Sequence, residues 1–439
     1  MRSATPKVLH PICGREIVGI VVDNVLQAGL GPVVVVTPPD GAGIRNALGD
    51  SVLYAEQSEP LGTGDAANQA RDLLPDEETI VMLAGDVPLV GPTSLHKLVQ
   101  QHAVSGAVLT VLTSTLTDPA GLGRVVRSAD GRITAIIEEQ VADHDVLAVR
   151  EVNSGVYCAS AAWLWQSLPK LKASAVGEVF LTDLVAMAVA EGLVVESVQT
   201  ADGNEALGVN NLIELAAVQE VLQKRIRERW MAEGVSMPDP GTVYIDYFAT
   251  IGQDSIILPN SHVKGQTKIG QRCEIGPNTI VADSLIGSDC KILASVIEEA
   301  TLEDRVDVGP FSHLRPGSHL ESEVHIGNFA EVKNSRLRRG TRSGHFSYIG
   351  DADVGRNVNI GAGSITCNYD GEKKNRTVIE DDVSIGSDTM LVAPVTVGAR
   401  SYTGAGSVVN RDVPPDYGAV GVPARIFPKK NASSRQKTG

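Results

Sequence analysis

His345 stands in the run Gly344-His345-Phe346-Ser347-Tyr348. Histidine is the residue type whose charge changes near neutral pH, so this one could take up or return a proton, although a lone histidine in repetitive β-structure is more often structural. Arg315 and Lys333 are by chemistry a bidentate fork and a point charge, and by residue type alone each reads as a solvated surface cation. Asp86 follows the apolar run Ile80–Leu83 within Gly85-Asp86-Val87-Pro88-Leu89. A carboxylate at a strand end is placed to meet a ligand or a metal, and an aspartate before Val-Pro equally suits a turn.

The elements that must position these groups change character part-way along the chain. Up to about Gly208, short aliphatic runs (Val33–Val36, Ile80–Leu83, Ala107–Ser114, Val194–Val198) alternate with helical stretches such as Ser94–His102 and Leu181–Glu191. That alternation predicts an α/β sheet covered by helices, with ligands at the carboxyl ends of the strands. Asn211 then precedes Glu214 by three positions, and Leu215, Val218, Leu222, Ile226 and Trp230 follow at helical spacing. A capped helix of about twenty residues is expected, with Gly234 as its stop.

From Ile251 an aliphatic residue followed by a small or acidic one recurs at six-residue intervals or their multiples, as at Ile269-Gly270, Ile275-Gly276, Ile326-Gly327, Ile360-Gly361 and Ile385-Gly386. Three such hexads make one triangular coil of a left-handed parallel β-helix, with the aliphatic side chain inside and the small residue at the corner. A β-sandwich would alternate with period two and would not sustain a hexad. The expected layout is a Rossmann-like α/β domain over 1–209, a helical linker over 210–237, the β-helix over 238–426, and a polar, basic, disordered tail over 427–439.

Bulk properties narrow the partners. The 439 residues exceed what one core usually serves, and 44 glycines beside 4% aromatic residues suit aliphatic packing with tight turns. A net charge of −15 repels nucleic acid and anionic membrane alike. Apolar stretches such as Ile17–Val22 are too short to span a bilayer, and no signal-peptide pattern is visible. Five scattered cysteines without C-x-x-C pairing suit a reducing cytoplasm.

Several runs, taken in order, carry a resemblance. Pro6–His10 (PKVLH), Gln57 with Leu61–Gly64 (LGTG), Gly85–Leu89 (GDVPL), Gly121–Val126 (GLGRVV), Glu151–Val156 (EVNSGV) and Gly208–Asn211 (GVNN) resemble a UDP-N-acetylglucosamine pyrophosphorylase. Gly309–Gly317 (GPFSHLRPG), His325–Ser335 (HIGNFAEVKNS), Gly344–Gly355 (GHFSYIGDADVG), Asn359–Gly371 (NIGAGSITCNYDG) and Ile385–Gly398 (IGSDTMLVAPVTVG) resemble the acetyltransferase half of the bifunctional N-acetylglucosamine-1-phosphate uridyltransferase and glucosamine-1-phosphate N-acetyltransferase family. The resemblance covers essentially the whole chain.

It implies acetyl transfer from acetyl-CoA to glucosamine-1-phosphate in the β-helix, then uridylyl transfer from UTP to N-acetylglucosamine-1-phosphate in the α/β domain with Mg2+. His345 matches the catalytic base, Arg315 and Lys333 the phosphate ligands, and Tyr348 and Asn359 the sugar contacts. Ala362, Asn368, Tyr369, Ser387 and Ala405 match the acetyl-CoA side. In the first domain Asp86 and Asn210 match the metal-linked positions and Lys7 a phosphate lysine. Gln57, Gly62 and Thr63 match uracil contacts, and Gly123, Glu138 and Asn153 sugar contacts. A homotrimer with acetyltransferase sites between subunits is implied as well.

Two departures stand out. Where the family often carries an arginine toward the coenzyme, this chain reads Gly421-Val422-Pro423-Ala424-Arg425; Val422 cannot pair with a phosphate, and Arg425 is the alternative. The family also begins with a strand and a glycine-rich L-A-A-G-x-G-T-R-M loop that holds the nucleotide phosphates, whereas this chain opens with MRSATPKVL. Two expectations follow: a natural start upstream, or a protein that keeps acetylation alone. A non-catalytic trimeric scaffold that binds nucleotide sugars is the third reading.

Overall fold

The computed structural model describes residues 1–75, 77–174 and 177–429, which form two compact units dividing after Leu222.

In the first unit all four expected aliphatic runs are strands, at Val34–Thr37, Thr79–Leu83, Leu109–Thr115 and Val195–Gln199. A six-stranded mixed sheet is organised around the long strand Glu151–Ser160, which pairs antiparallel with both Thr79–Leu83 and Leu109–Thr115. Val195–Gln199 extends it in parallel, and the Arg124–Arg127/Ile133–Ile137 hairpin continues the far side. Its core is aliphatic, with Leu109, Val111, Ala159, Leu164 and Leu184 fully buried, so the helices Pro92–Ser105 and Asp183–Ala190 are held by burial rather than by propensity.

The strands Val34–Thr37 and Leu53–Glu56 form a separate parallel pair. Among the described residues Val34–Thr37 pairs only with Leu53–Glu56, and Thr79–Leu83 only with Glu151–Ser160. Both strands line one cavity of about 660 Å3, whose apolar wall includes Val33, Val35, Val81 and Leu83.

The helix expected after Asn211 runs from Leu212 to Ala232. Asn211 Oδ1 accepts from the backbone N–H groups of Ile213 and Glu214, at 2.9 and 3.0 Å. Glu214 reaches back to the Asn210 N–H and the Asn211 side-chain amide, each at 2.6 Å. This is reciprocal capping of orphan N–H groups. The division between the units falls inside this helix.

From Tyr244 onward the second unit is three sheets of ten, nine and eleven strands, parallel except for the last strand of the third, the three faces of the left-handed β-helix. Ile251, Ile269, Ile286, Leu302, Leu320, Leu337, Val354, Ile379 and Val397 stack in register on one face. All nine are buried. The hexad is not strictly kept: the repeat is 18 residues from Ile251 to Ile269, 16 from Ile286 to Leu302, and 25 from Val354 to Ile379. Inward positions set the stacking, while corners absorb losses of one or two residues and a gain of seven. The helix is closed by an antiparallel hairpin, Tyr417–Val420 with Arg425–Pro428, so Phe427 and Pro428, expected in the tail, are paired residues. The rest of the expected tail, 430–439, lies outside the described residues.

Candidate functional site

In the first unit Lys7 Nζ donates to Asp86 Oδ2 at 2.5 Å and to Asn210 Oδ1 at 3.0 Å. Residues 203 positions apart therefore converge on one cation. Asp86 follows the Thr79–Leu83 strand, Lys7 opens a short 3-10 turn, and Asn210 is fixed through its N–H by Glu214.

The same cavity is lined by Lys7, Asp86, Thr63, Glu138, Asn153 and Thr182. Asn153 Nδ2 donates to Tyr157 Oη at 2.6 Å, the Asn153 N–H donates to the Gly123 carbonyl at 2.9 Å, and Thr182 Oγ1 donates to Glu138 Oε1 at 3.1 Å. A Cβ on Gly123 would lie 3.4 Å from the Glu138 carboxylate. Gly123, Glu138 and Asn153 are thus one cluster, joined by Tyr157 and Thr182, which nothing in the sequence singled out. Burial raises the carboxyl pKa of Glu138 and raises the Tyr157 hydroxyl further still.

The raised value gives a linkage prediction. The Glu138 contribution favours the folded chain at low pH and is lost as pH rises through its folded pKa. Glu138→Gln should therefore melt higher than the parent at pH 8 and alike at pH 4; equal melting curves at pH 8 would contradict the burial cost.

Gln57 Nε2 donates to the Gly62 carbonyl at 3.1 Å and to Asp65 at 2.7 Å, and Thr63 Oγ1 accepts the Leu181 N–H at 3.0 Å. Gly62 has φ +113°, and a Cβ there would come within 2.5 Å of the Val179 carbonyl oxygen. The chain's own 178–181 segment therefore requires glycine here. Gly62→Ala should cost about 1–3 kcal/mol, read as a lowered denaturant midpoint; an unchanged midpoint would mean that the segment yields.

In the second unit Arg315, Lys333 and Tyr348 sit on one face, on or beside the strands His313–Leu314, Ala330–Lys333 and Ser347–Gly350. Glu331 Oε1 holds the Arg315 guanidinium at 2.7 Å. The 25-residue coil throws out an arm that the hexad did not foretell. Within it Asp370 Oδ1 accepts the Glu372 and Lys373 N–H groups, Tyr369 Oη donates to the Gly371 carbonyl, and Tyr369 pairs with Lys374. The arm brings Lys374 beside Lys333, and this neighbouring ammonium is the main cause that lowers the Lys333 pKa below the ordinary lysine value. Three cations, Arg315, Lys333 and Lys374, thus gather on a chain of net charge −15. The consecutive Lys373-Lys374 in a segment that breaks the hexad was the signal available.

His345 lies at the corner leading into the Ser347–Gly350 strand and is exposed, its ring without a hydrogen bond among the described residues. The Asp388 N–H donates to the Ala362 carbonyl and the Gly406 N–H to the Ser387 carbonyl, at 2.6 and 2.8 Å, while the Gly363 N–H donates to the Phe346 carbonyl at 2.7 Å. Ala362, Ser387 and Ala405 therefore line the corner that His345 begins. Asn359 is elsewhere: its strand belongs to the adjoining face, paired with Arg342 and Ser384. Val422 is 72% exposed, and the side chain of Arg425, a residue of the terminal hairpin, makes no hydrogen bond or ion pair among the described residues.

A nucleotidyl transferase family profile matches residues 2–223, and the bacterial transferase hexapeptide profile of six repeats matches 248–283 and 376–411. The bifunctional protein GlmU of Heliobacterium modesticaldum is 44% identical over 442 residues, covering 100% of this chain and 96% of that protein. The chain belongs to the bifunctional GlmU family. The GlmU of Carboxydothermus hydrogenoformans is 43% identical, with 94% of this chain and 93% of that protein covered, and that of Geotalea uraniireducens is 42% identical, with 96% and 93% covered. The GlmU relationship makes this a two-part transferase, with nucleotidyl transfer in the first unit and hexapeptide-type acetyl transfer in the second. No helix of the described residues is long and apolar enough to cross a membrane.

Proposed function

We propose that the chain makes UDP-N-acetylglucosamine in two steps, acetyl transfer from acetyl-CoA to glucosamine-1-phosphate and then uridylyl transfer from UTP to N-acetylglucosamine-1-phosphate. The observation that carries the first step is the free imidazole of His345 at the corner next to the face where Arg315, Lys333 and Lys374 gather. The imidazole takes the proton of the amino group as nitrogen attacks the thioester carbonyl; the C–S bond then breaks, coenzyme A leaves as the thiol with that proton, and the cations hold the sugar phosphate. Ala362, Ser387 and Ala405 offer the coenzyme a small-residue edge, with Tyr369 beside it and Arg425 free for a phosphate.

For the second step, Asp86 and Asn210 supply oxygen donors already converging on a cation, the donor set and number that suit Mg2+ completed by water and phosphates. Bound there, the ion would neutralise the triphosphate. Lys7 then turns its ammonium to phosphate, and Glu138 and Asn153 orient the sugar.

Tyr348 and Asn359 lie on adjoining faces of the β-helix, an arrangement that suits a sugar site to which a second copy supplies one of them. That supports a homotrimer with shared sites. Phe311 and Phe329, each 61% exposed and stacked at 5.4 Å, and exposed Phe346 suit burial in such an assembly. A cytoplasmic setting, without nucleic-acid or membrane partners, completes the reading.

The test is thiol release from acetyl-CoA with glucosamine-1-phosphate, and pyrophosphate release from UTP with N-acetylglucosamine-1-phosphate and Mg2+. Both activities are expected, on a species of three 46.3-kDa chains by light scattering. Acetylation alone would support the single-activity alternative, and neither activity from a folded trimer would favour a scaffold.

A further inference from the structure

Asn368 is only 7% exposed, at the point where the arm leaves the β-helix. Its Nδ2 donates to Asp351 Oδ2 at 2.5 Å and to Tyr348 Oη at 3.3 Å. The other Asp351 oxygen accepts from Asn334 Nδ2 at 2.6 Å. Asp351 is itself fixed by its backbone, its N–H donating to the Lys333 carbonyl and its carbonyl accepting the Thr377 N–H, at 3.0 and 3.2 Å. An ionised carboxylate only accepts, so it decides which end of a neighbouring amide faces it. The Asn368 amino group must point at Asp351, and Asn368 Oδ1 is left without a donor among the described residues.

We propose that Asp351 is a positioning residue for acetyl transfer: it locks the Asn368 amide so that Oδ1 presents an acceptor to an N–H of the reactants, and through the same amide it steadies the Tyr348 hydroxyl. Asp351 touches neither reactant in this arrangement. Without it the amide is free to turn over, offering a donor where an acceptor is needed, and Tyr348 loses its tether. The inference rests on the acetyl-transfer reading above.

The experiment is a double-mutant cycle on the full chain, Asp351→Ala, Asn368→Ala and both together, measured as kcat and KM for acetyl transfer. Asp351→Ala is expected to lower kcat by about 10²-fold, the scale of a misplaced contact, with KM for glucosamine-1-phosphate changed less than about threefold. In the Asn368→Ala background the same change should cost nothing further, because residues acting through one another are not additive. Asp351→Asn, which keeps the volume and one acceptor, should fall between, so a folding defect in the alanine variant does not close the question. Losses that multiply, or a loss confined to KM, would overturn the positioning role while leaving the reading intact. No acetyl transfer by the unmodified chain would overturn the reading itself.

Discussion

Replacing His345 by alanine is expected to lower acetyl transfer by about 10²–10⁴-fold, the usual contribution of a positioned general base, with pyrophosphate release from UTP unchanged. The two effects separate because His345 belongs to the second unit and its ring is exposed without a protein partner among the described residues. For the same reason the melting temperature should hardly move: surface substitutions away from special features stay within about 0.5 kcal/mol. Thiol release from acetyl-CoA at saturating glucosamine-1-phosphate reads the effect. Undiminished turnover in the variant would remove the imidazole from the mechanism and favour a scaffold.

The reverse separation is expected for Asp86→Ala. Loss of one preorganised electrostatic group at a reacting centre costs about 10²–10³-fold, and Asp86 also tethers Lys7, which among the described residues would keep only Asn210 as a side-chain partner. Pyrophosphate release should therefore fall by at least that much and resist rescue by added Mg2+, while acetyl transfer stays at the parent rate. Full recovery at high Mg2+ would reduce Asp86 to an affinity contact; an unchanged rate at ordinary Mg2+ would place the metal elsewhere.

The fold was readable because its signals are local. A buried aliphatic every sixth residue follows from the geometry of a three-faced coil, and the Asn211–Glu214 cap follows from orphan N–H groups at a helix start. The second unit was less regular than its hexads. A coil can lose two residues or gain seven at a corner without disturbing the inward stack, as the 16- and 25-residue repeats show.

The site was legible in part. His345, Arg315, Lys333 and Asp86 could be named from residue type and motif, and the structure groups Arg315 with Lys333 and ties Asp86 to Lys7 and Asn210. Glu331, Thr182 and Tyr157 gave no comparable signal, and Lys374 only the pair Lys373-Lys374 in a segment that breaks the hexad. Each acts through a neighbour on another coil or strand, and that pairing depends on register.

The sequence by itself determined the two architectures, the helix joining them and the residue types able to do the chemistry, because periodicity, capping and charge act over short stretches of chain. Only the tertiary structure decided that Asp351 governs the orientation of Asn368, that Lys374 swings in beside Lys333, and that Asn359 looks out from a different face than Tyr348. The two contacts among these join residues 17 or more positions apart. Coil length, strand register and corner placement set them, and none of these is encoded in a local repeat.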